Sequence, residues 1–117
     1  MNNQMLIIGS NGGVGNECVK HFSTMYDVIS ISREQGDLRD KEFLKTLVDK
    51  YNPSVVLNCV GVYEKGFYET FESNFLSASF LTLEFYKKME SGHIINICSS
   101  SANSSGWPGI DYDRLIY

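Results

Sequence analysis

The sequence is short of several things, and each shortage removes a class of function. It has no excess of positive charge: ten Lys and Arg stand against fourteen Asp and Glu, a formal net charge of −4. Nucleic-acid surfaces gain affinity by neutralising phosphates, so this balance argues against a nucleic-acid partner. Cysteine is scarce and odd in number. Cys18, Cys59 and Cys98 are widely spaced in apolar segments, which speaks against a disulfide framework and for a reducing compartment. None has an evident cationic neighbour or helix N-terminus to activate it, so all three are expected to be buried, inert thiols. No apolar run approaches the roughly 20 residues of a membrane span, and the opening "MNNQMLIIGS" has no basic region of the kind that starts a signal peptide. The expectation is a cytoplasmic protein with no membrane partner. Asn103-Ser104-Ser105 is then a chance match to the glycosylation pattern. With neither a repeat nor a linker to divide it, the chain reads as a single domain, residues 1–117, large enough for one core.

What is present is a regular alternation. Residues 4 to 8, "QMLII", read as a short buried strand ending at Gly9. A helix is predicted over 14 to 25, with Val14, Cys18 and Phe22 as its inward stripe. The β-branched run "DVISIS", 27 to 32, is the next strand. Phe43, Leu44, Leu47, Val48 and Tyr51 recur at helical spacing over 40 to 51, where Pro53 stops them. "SVVLNCVG", 54 to 61, is strand-like, 68 to 90 is a long amphipathic helix rich in Phe and Leu, and "HIINICS", 93 to 99, is a fourth strand. Strands that alternate with helices and lack the polar face of an exposed sheet imply an α/β fold, a doubly wound parallel sheet covered on both sides. Ligands of such folds bind at the carboxyl ends of the strands.

The stretch "IIGSNGGVG", 7 to 15, sits at one such end. It follows a buried strand and opens a helix. Glycines let backbone approach a pyrophosphate closely, while the unpaired N–H groups and dipole of the helix favour negative charge there. In this setting the sequence resembles the short-chain dehydrogenase/reductase superfamily over nearly its whole length. Gly9-x-x-x-Gly13-x-Gly15 has the spacing of the single-domain branch, with Ile8 where Thr is usual. Gly9-x-x-Gly12-x-x-Gly15 has the spacing of the extended branch of nucleotide-sugar epimerases and reductases. The loop alone serves either; the segment at 93 to 98 favours the single-domain branch and so Gly13.

The resemblance implies a Rossmann-like sheet, interrupted after about its fifth strand, and a set of cofactor contacts. Gly9, Ser10, Asn11, Gly13, Val14 and Gly15 would form the phosphate loop. Ser32-Arg33 would meet the adenosine ribose. A small residue followed by Arg leaves room and positive charge for a 2′-phosphate, so NADP(H) is preferred, with NAD(H) possible. In "GDLRD", Asp37 would meet the adenine amine and Leu38 would contribute backbone. "LNCVG", 57 to 61, stands where the family carries Asn-Asn-Ala-Gly, so Asn58 and Gly61 match while Cys59 and Val60 depart. No metal is implied.

The family's chemistry uses a Tyr as general acid/base, a Lys four residues on, a Ser that orients the substrate oxygen and an Asn in the proton relay. A Tyr of ordinary pKa, about 10, is a poor base near neutrality until adjacent positive charge stabilises the phenolate. Asn74 falls at the relay position and Ser99 at the substrate position, with Ser100 the second choice. Tyr112 stands thirteen residues after Ser99 but is followed four residues later by Ile116 rather than Lys. Tyr117 stands eighteen residues after Ser99, and its Lys would lie beyond the chain, so Tyr117 is favoured. The missing Lys makes this a fragment by the family's measure, with 93 to 98 as an uncovered sheet edge that should self-associate. The aromatic-rich helix at 68 to 90 resembles the family's oligomer-forming helix and implies a homo-oligomer in the intact protein. Three readings follow: an NADP(H)-preferring oxidoreductase acting on a small carbonyl or alcohol substrate, an extended-branch nucleotide-sugar reductase or epimerase, and a nucleotide-binding module without catalysis.

Overall fold

The computed structural model describes residues 2–62 and 65–99. Within them the chain runs β1 (Gln4–Ile8), α1 (Gly13–Phe22), β2 (Asp27–Ile31), α2 (Lys41–Lys50), β3 (Val55–Asn58), α3 (Phe67–Phe71), a π-helical turn (Glu72–Leu76), α4 (Ser77–Lys88) and β4 (His93–Asn96). All strand pairs are parallel, in the order β2-β1-β3-β4. The chain thus steps outward from β1 to β2 and crosses back over β1 to β3. The point of reversal lies between β1 and β3, where a doubly wound sheet opens a crevice at its carboxyl edge.

Burial explains why "MLII" is continuous rather than alternating. Met5, Leu6, Ile7 and Ile8 are all buried because β1 is covered on both faces. Leu6, Ile8 and Ile31 join Val56, Leu44, Leu47, Val48, Leu81 and Phe85 on the face held by α2 and α4. Met5, Ile7, Val55 and Leu57 meet Cys18, Val19 and Phe22 of α1 on the other. Complete burial of a side chain such as Phe85 or Leu81 is worth about 1.5–3 kcal/mol. α2 starts where Asp40 accepts a hydrogen bond from the Glu42 N–H at 3.0 Å, an N-cap in the first turn. Its other end is closed from a distance: the Lys88 ammonium donates to the Val48 carbonyl and, at 2.6 Å, to that of Tyr51.

Four expectations need correction. Val14 does not face inward but is 57% exposed, because the first turn of α1 overhangs the carboxyl edge of the sheet; the stripe starts at Cys18. That helix ends at Phe22 rather than Met25, where Ser23 Oγ turns back onto the Val19 carbonyl. The predicted helix over 68 to 90 is one path but not one helix, since a π turn interrupts it and it stops at Lys88. Cys98 is exposed, and Cys18 and Cys59 are only half-buried.

Candidate dinucleotide-binding site

Two backbones meet at the crevice, and two glycines permit it. Gly9 ends β1 with φ +82°, and a Cβ there would lie 2.9 Å from the Cys59 carbonyl carbon. The loop after β1 therefore rests directly on the loop after β3. A Cβ on Gly15 would collide with the Gly9 carbonyl oxygen, so α1 can sit against the loop only with glycine at that position. Both Gly9 and Ser10 donate their N–H to the Ile31 carbonyl, at 2.8 and 3.1 Å, which ties the loop to β2 and buries Ser10.

The middle glycines obey a different logic. Gly12 is the N-cap of α1, and no side chain hydrogen-bonds to the cap. A Cβ on Gly12 would meet only the Gly9 oxygen at 3.5 Å, an ordinary contact, and one on Gly13 would meet nothing. Protein packing requires glycine at neither. Together with the uncapped helix N-terminus, this is the condition that suits an anionic group lying on the backbone.

A cavity of about 280 Å³ opens over this loop. Gly9, Asn11 and Gly12 line it from the β1 side, Ser32, Arg33, Asp37 and Leu38 from the β2 side, and Gly61 with Cys59, Val60 and Val62 from the β3 side. Of the expected cofactor residues, seven thus share one cavity: Gly9, Asn11, Ser32, Arg33, Asp37, Leu38 and Gly61. Ser10, Gly13, Val14 and Gly15 stand behind or beside the loop and are not among the lining residues. Asn58 is buried instead. Its Nδ2 donates to Asn96 Oδ1 at 3.1 Å and its Oδ1 accepts from the Val60 N–H at 3.0 Å, which pins the loop that carries Gly61.

The β2 end is organised by residues that motif reading passed over. Gln35 Oε1 accepts from both the Ser32 N–H and the Ser32 hydroxyl at 2.8 Å, closing the turn. Arg39 grips Asp37: its Nη2 lies 2.7 Å and its Nε 3.0 Å from Oδ2, while its backbone N–H donates to Oδ1 at 2.9 Å. These hydrogen bonds from Arg39 hold the Asp37 carboxyl well below the usual carboxylate range. Arg33 reaches the same carboxylate only at 3.4 Å. The clustered charges of "SREQGDLRD" signal an ion-paired turn without naming Arg39 as the partner of Asp37, and the uncharged Gln35 gives no signal.

A second cavity, about 230 Å³, shares Cys59, Val60 and Gly61 with the first and adds Asn74, Ile97, Cys98 and Ser99. Asn74 and Ser99 are thus brought together beside the first cavity. Asn74 occupies the middle of the π turn, a device common at functional sites. Its amide forms a closed pair with the Val62 backbone: Oδ1 accepts from N–H and Nδ2 donates to C=O, both at 2.8 Å. Burial, with Cys18 alongside, pushes the Cys59 thiol up to about 11, which keeps it protonated and agrees with an inert role. Tyr117, its rival Tyr112 and the alternative Ser100 lie outside the described residues. Among the described residues no group of three or more His, Cys, Asp or Glu could hold a metal ion, and no helix is long and apolar enough to cross a membrane.

Known proteins share this fold. A short-chain dehydrogenase/reductase variant from Serratia marcescens superimposes with a TM-score of 0.75 at 18% identity, covering 97% of this chain and 67% of that one. The dTDP-4-dehydrorhamnose reductase of Bacillus anthracis in complex with NADP gives 0.65 at 18%, covering 72% of this chain. The enzyme WbmG of Bordetella bronchiseptica in complex with NAD gives 0.70 at 16%, covering 82% of this chain and 37% of that one. The chain spans about a third of the length of that reductase, 32%. No curated protein matches the sequence. The model of the family described as RmlD substrate binding domain matches residues 3–70, more than half of the chain. The chain belongs to that family, and its fold is the amino-terminal Rossmann half of the short-chain dehydrogenase/reductase superfamily.

Proposed function

We propose that this chain binds a nicotinamide dinucleotide, NADP(H) in preference to NAD(H), as the cofactor half of an oxidoreductase acting on a carbonyl or alcohol carbon. The observation that carries the reading is the glycine loop: an uncapped helix N-terminus whose middle glycines no protein contact requires, opening onto the cavity of Arg33, Asp37 and Gly61. Backbone N–H groups at Gly13 and Val14, in the first turn of α1, would hold the pyrophosphate. Asp37 and Leu38 would hold the adenine, and Arg33 beside the small Ser32 would meet the ribose 2′-phosphate. When bound, the cofactor supplies the hydride. Asn74 and Ser99, in the adjoining cavity, are assigned to substrate: Ser99 orients its oxygen, and Asn74 fixes the Val62 loop that separates substrate from cofactor. Tyr117 is the proposed acid/base.

Two observations favour a nucleotide-sugar substrate within this reading. The matching family is the one described as RmlD substrate binding domain, and Gly12, the middle glycine of the extended-branch spacing, is the one that lines the cavity. The intact protein is assigned a homo-oligomeric state through the exposed side of α4.

Titration of the purified protein with NADPH and NADH, followed by nicotinamide fluorescence, tests the cofactor. NADPH is expected to bind about tenfold or more tightly, the scale of one charge-assisted contact. Equal affinities would remove Arg33 from the site, and absence of both would leave the chain a Rossmann fold without a dinucleotide.

A further inference from the structure

Two arginines compete for one carboxylate at the rim of the cavity, and they do so unequally. Arg39 makes four hydrogen bonds to Asp37, three from its guanidinium between 2.7 and 3.2 Å and one from its backbone N–H. Its other terminal nitrogen lies 3.8 Å from Glu69 of α3, so the guanidinium is held from both sides, and its side chain is 31% exposed. Arg33 has a single contact to Asp37 at 3.4 Å, longer than the roughly 2.7–2.9 Å of a well-formed charge-assisted bond, and its side chain is 67% exposed. Arg33 lines the cavity and Arg39 does not.

We infer that Arg39 is a positioning residue for cofactor specificity: by saturating Asp37 it keeps that carboxylate from capturing Arg33, and so leaves Arg33 available to an anion in the cavity. The inference rests on the assignment of Arg33 to the 2′-phosphate. Without Arg39, Asp37 would keep Arg33 as its one guanidinium partner, on the wall of the cavity they share. It would hold Arg33 to itself and repel the phosphate, and both effects weaken NADPH. NADH carries a neutral 2′-hydroxyl there and is spared both. Any general loosening of Asp37 against the adenine acts on the two cofactors alike, so the ratio of their dissociation constants isolates the effect on Arg33.

Dissociation constants for NADPH and NADH are measured on the wild type, R39A, R39K and the double variant R39A/D37N, with circular dichroism melts to confirm that each is folded. The wild type is expected to favour NADPH. R39A should cut the NADH-to-NADPH ratio of dissociation constants by about tenfold. R39K keeps the charge but gives up the forked contact, so its ratio falls between the two. Removing the carboxylate as well, in R39A/D37N, should restore the ratio to near the wild-type value. A ratio unchanged in folded R39A, or in R39K if R39A does not fold, overturns the role of Arg39 while the cofactor assignment stands. A ratio that stays low in R39A/D37N overturns it too, because Asp37 would then not be the competitor. A wild-type ratio of one overturns both assignments together.

Discussion

Gly12 and Gly13 are neighbours with the same side chain and different surroundings, and the difference is measurable. Gly12 faces the cavity as the N-cap of α1, with φ −74° and ψ 168°, a conformation open to any residue. Gly13 begins the helix with open space around it. Alanine at 13 should therefore raise stability by up to about 1 kcal/mol through helix propensity, leaving NADPH affinity within about twofold. Alanine at 12 should place a methyl group where the pyrophosphate approaches and weaken NADPH by about tenfold or more. Calorimetric titration of both variants checks this, and loss of binding in G13A rather than G12A would return the loop to the single-domain spacing. The loop offered both spacings, and only the segment at 93 to 98 favoured Gly13. The loop itself could not rank them because the ranking depends on which glycine faces the cavity, a consequence of how α1 leaves the sheet. Arg39 was hidden for a related reason: its effect is exerted through Asp37, and a motif names the residue at the ligand rather than the one that holds it.

The strands and most helices were legible because their apolar residues repeat with the period of the element, and β1 through β4 fall within the segments read from that pattern. Departures occur where one element changes character without a change of composition. A π turn has more residues per turn than an α-helix, so Glu72–Leu76 rotates the face of α4 relative to α3 while the run of Phe and Leu continues unbroken. That rotation delivers Asn74 to Val62, a role the 3.6-residue period cannot express. The closure of α2 by Lys88 is also invisible in sequence, since the two lie about forty residues apart. Each helix ends with carbonyls that lack partners, and the ammonium satisfies that of Val48 along with the Tyr51 carbonyl just beyond. K88M should cost about 1–2 kcal/mol, lowering the melting temperature by several degrees. K87M, which loses only the Lys87–Glu84 pair at 3.1 Å on the surface, should cost less than about 0.5 kcal/mol. Equal melting temperatures for the two variants would show that the Lys88 cap adds nothing to the packing of α4 on α2.

At the scale of the whole molecule, the apolar surface is distributed unevenly. On the side of β1 and β3 it is covered, whereas Phe75 on the π turn and Leu83 and Tyr86 on α4 are 51%, 46% and 73% exposed. Ala78, Ser79 and Thr82 lie between them and, with Asn74 and Asn96, complete a shallow groove. Large apolar groups flanking small ones form a surface that a second helix of the same shape can enter, each copy placing its Phe75, Leu83 and Tyr86 over the small residues of the other. The ionic groups of α4 stand clear of this groove: Lys87 is paired with Glu84, and Lys88 is turned to α2. Self-association through α4 is therefore expected, with an isologous two-fold contact as the simplest closed arrangement. Sedimentation at increasing concentration should show the wild type moving toward twice its monomer mass. L83E/Y86E should remain monomeric, because two carboxylates in that contact would be buried without partners. Since neither residue lines the dinucleotide cavity, the double variant should keep its NADPH affinity, which separates loss of assembly from loss of fold. A wild type that stays monomeric at about 100 μM, a concentration at which even weak specific dimers form, would refute the α4 contact.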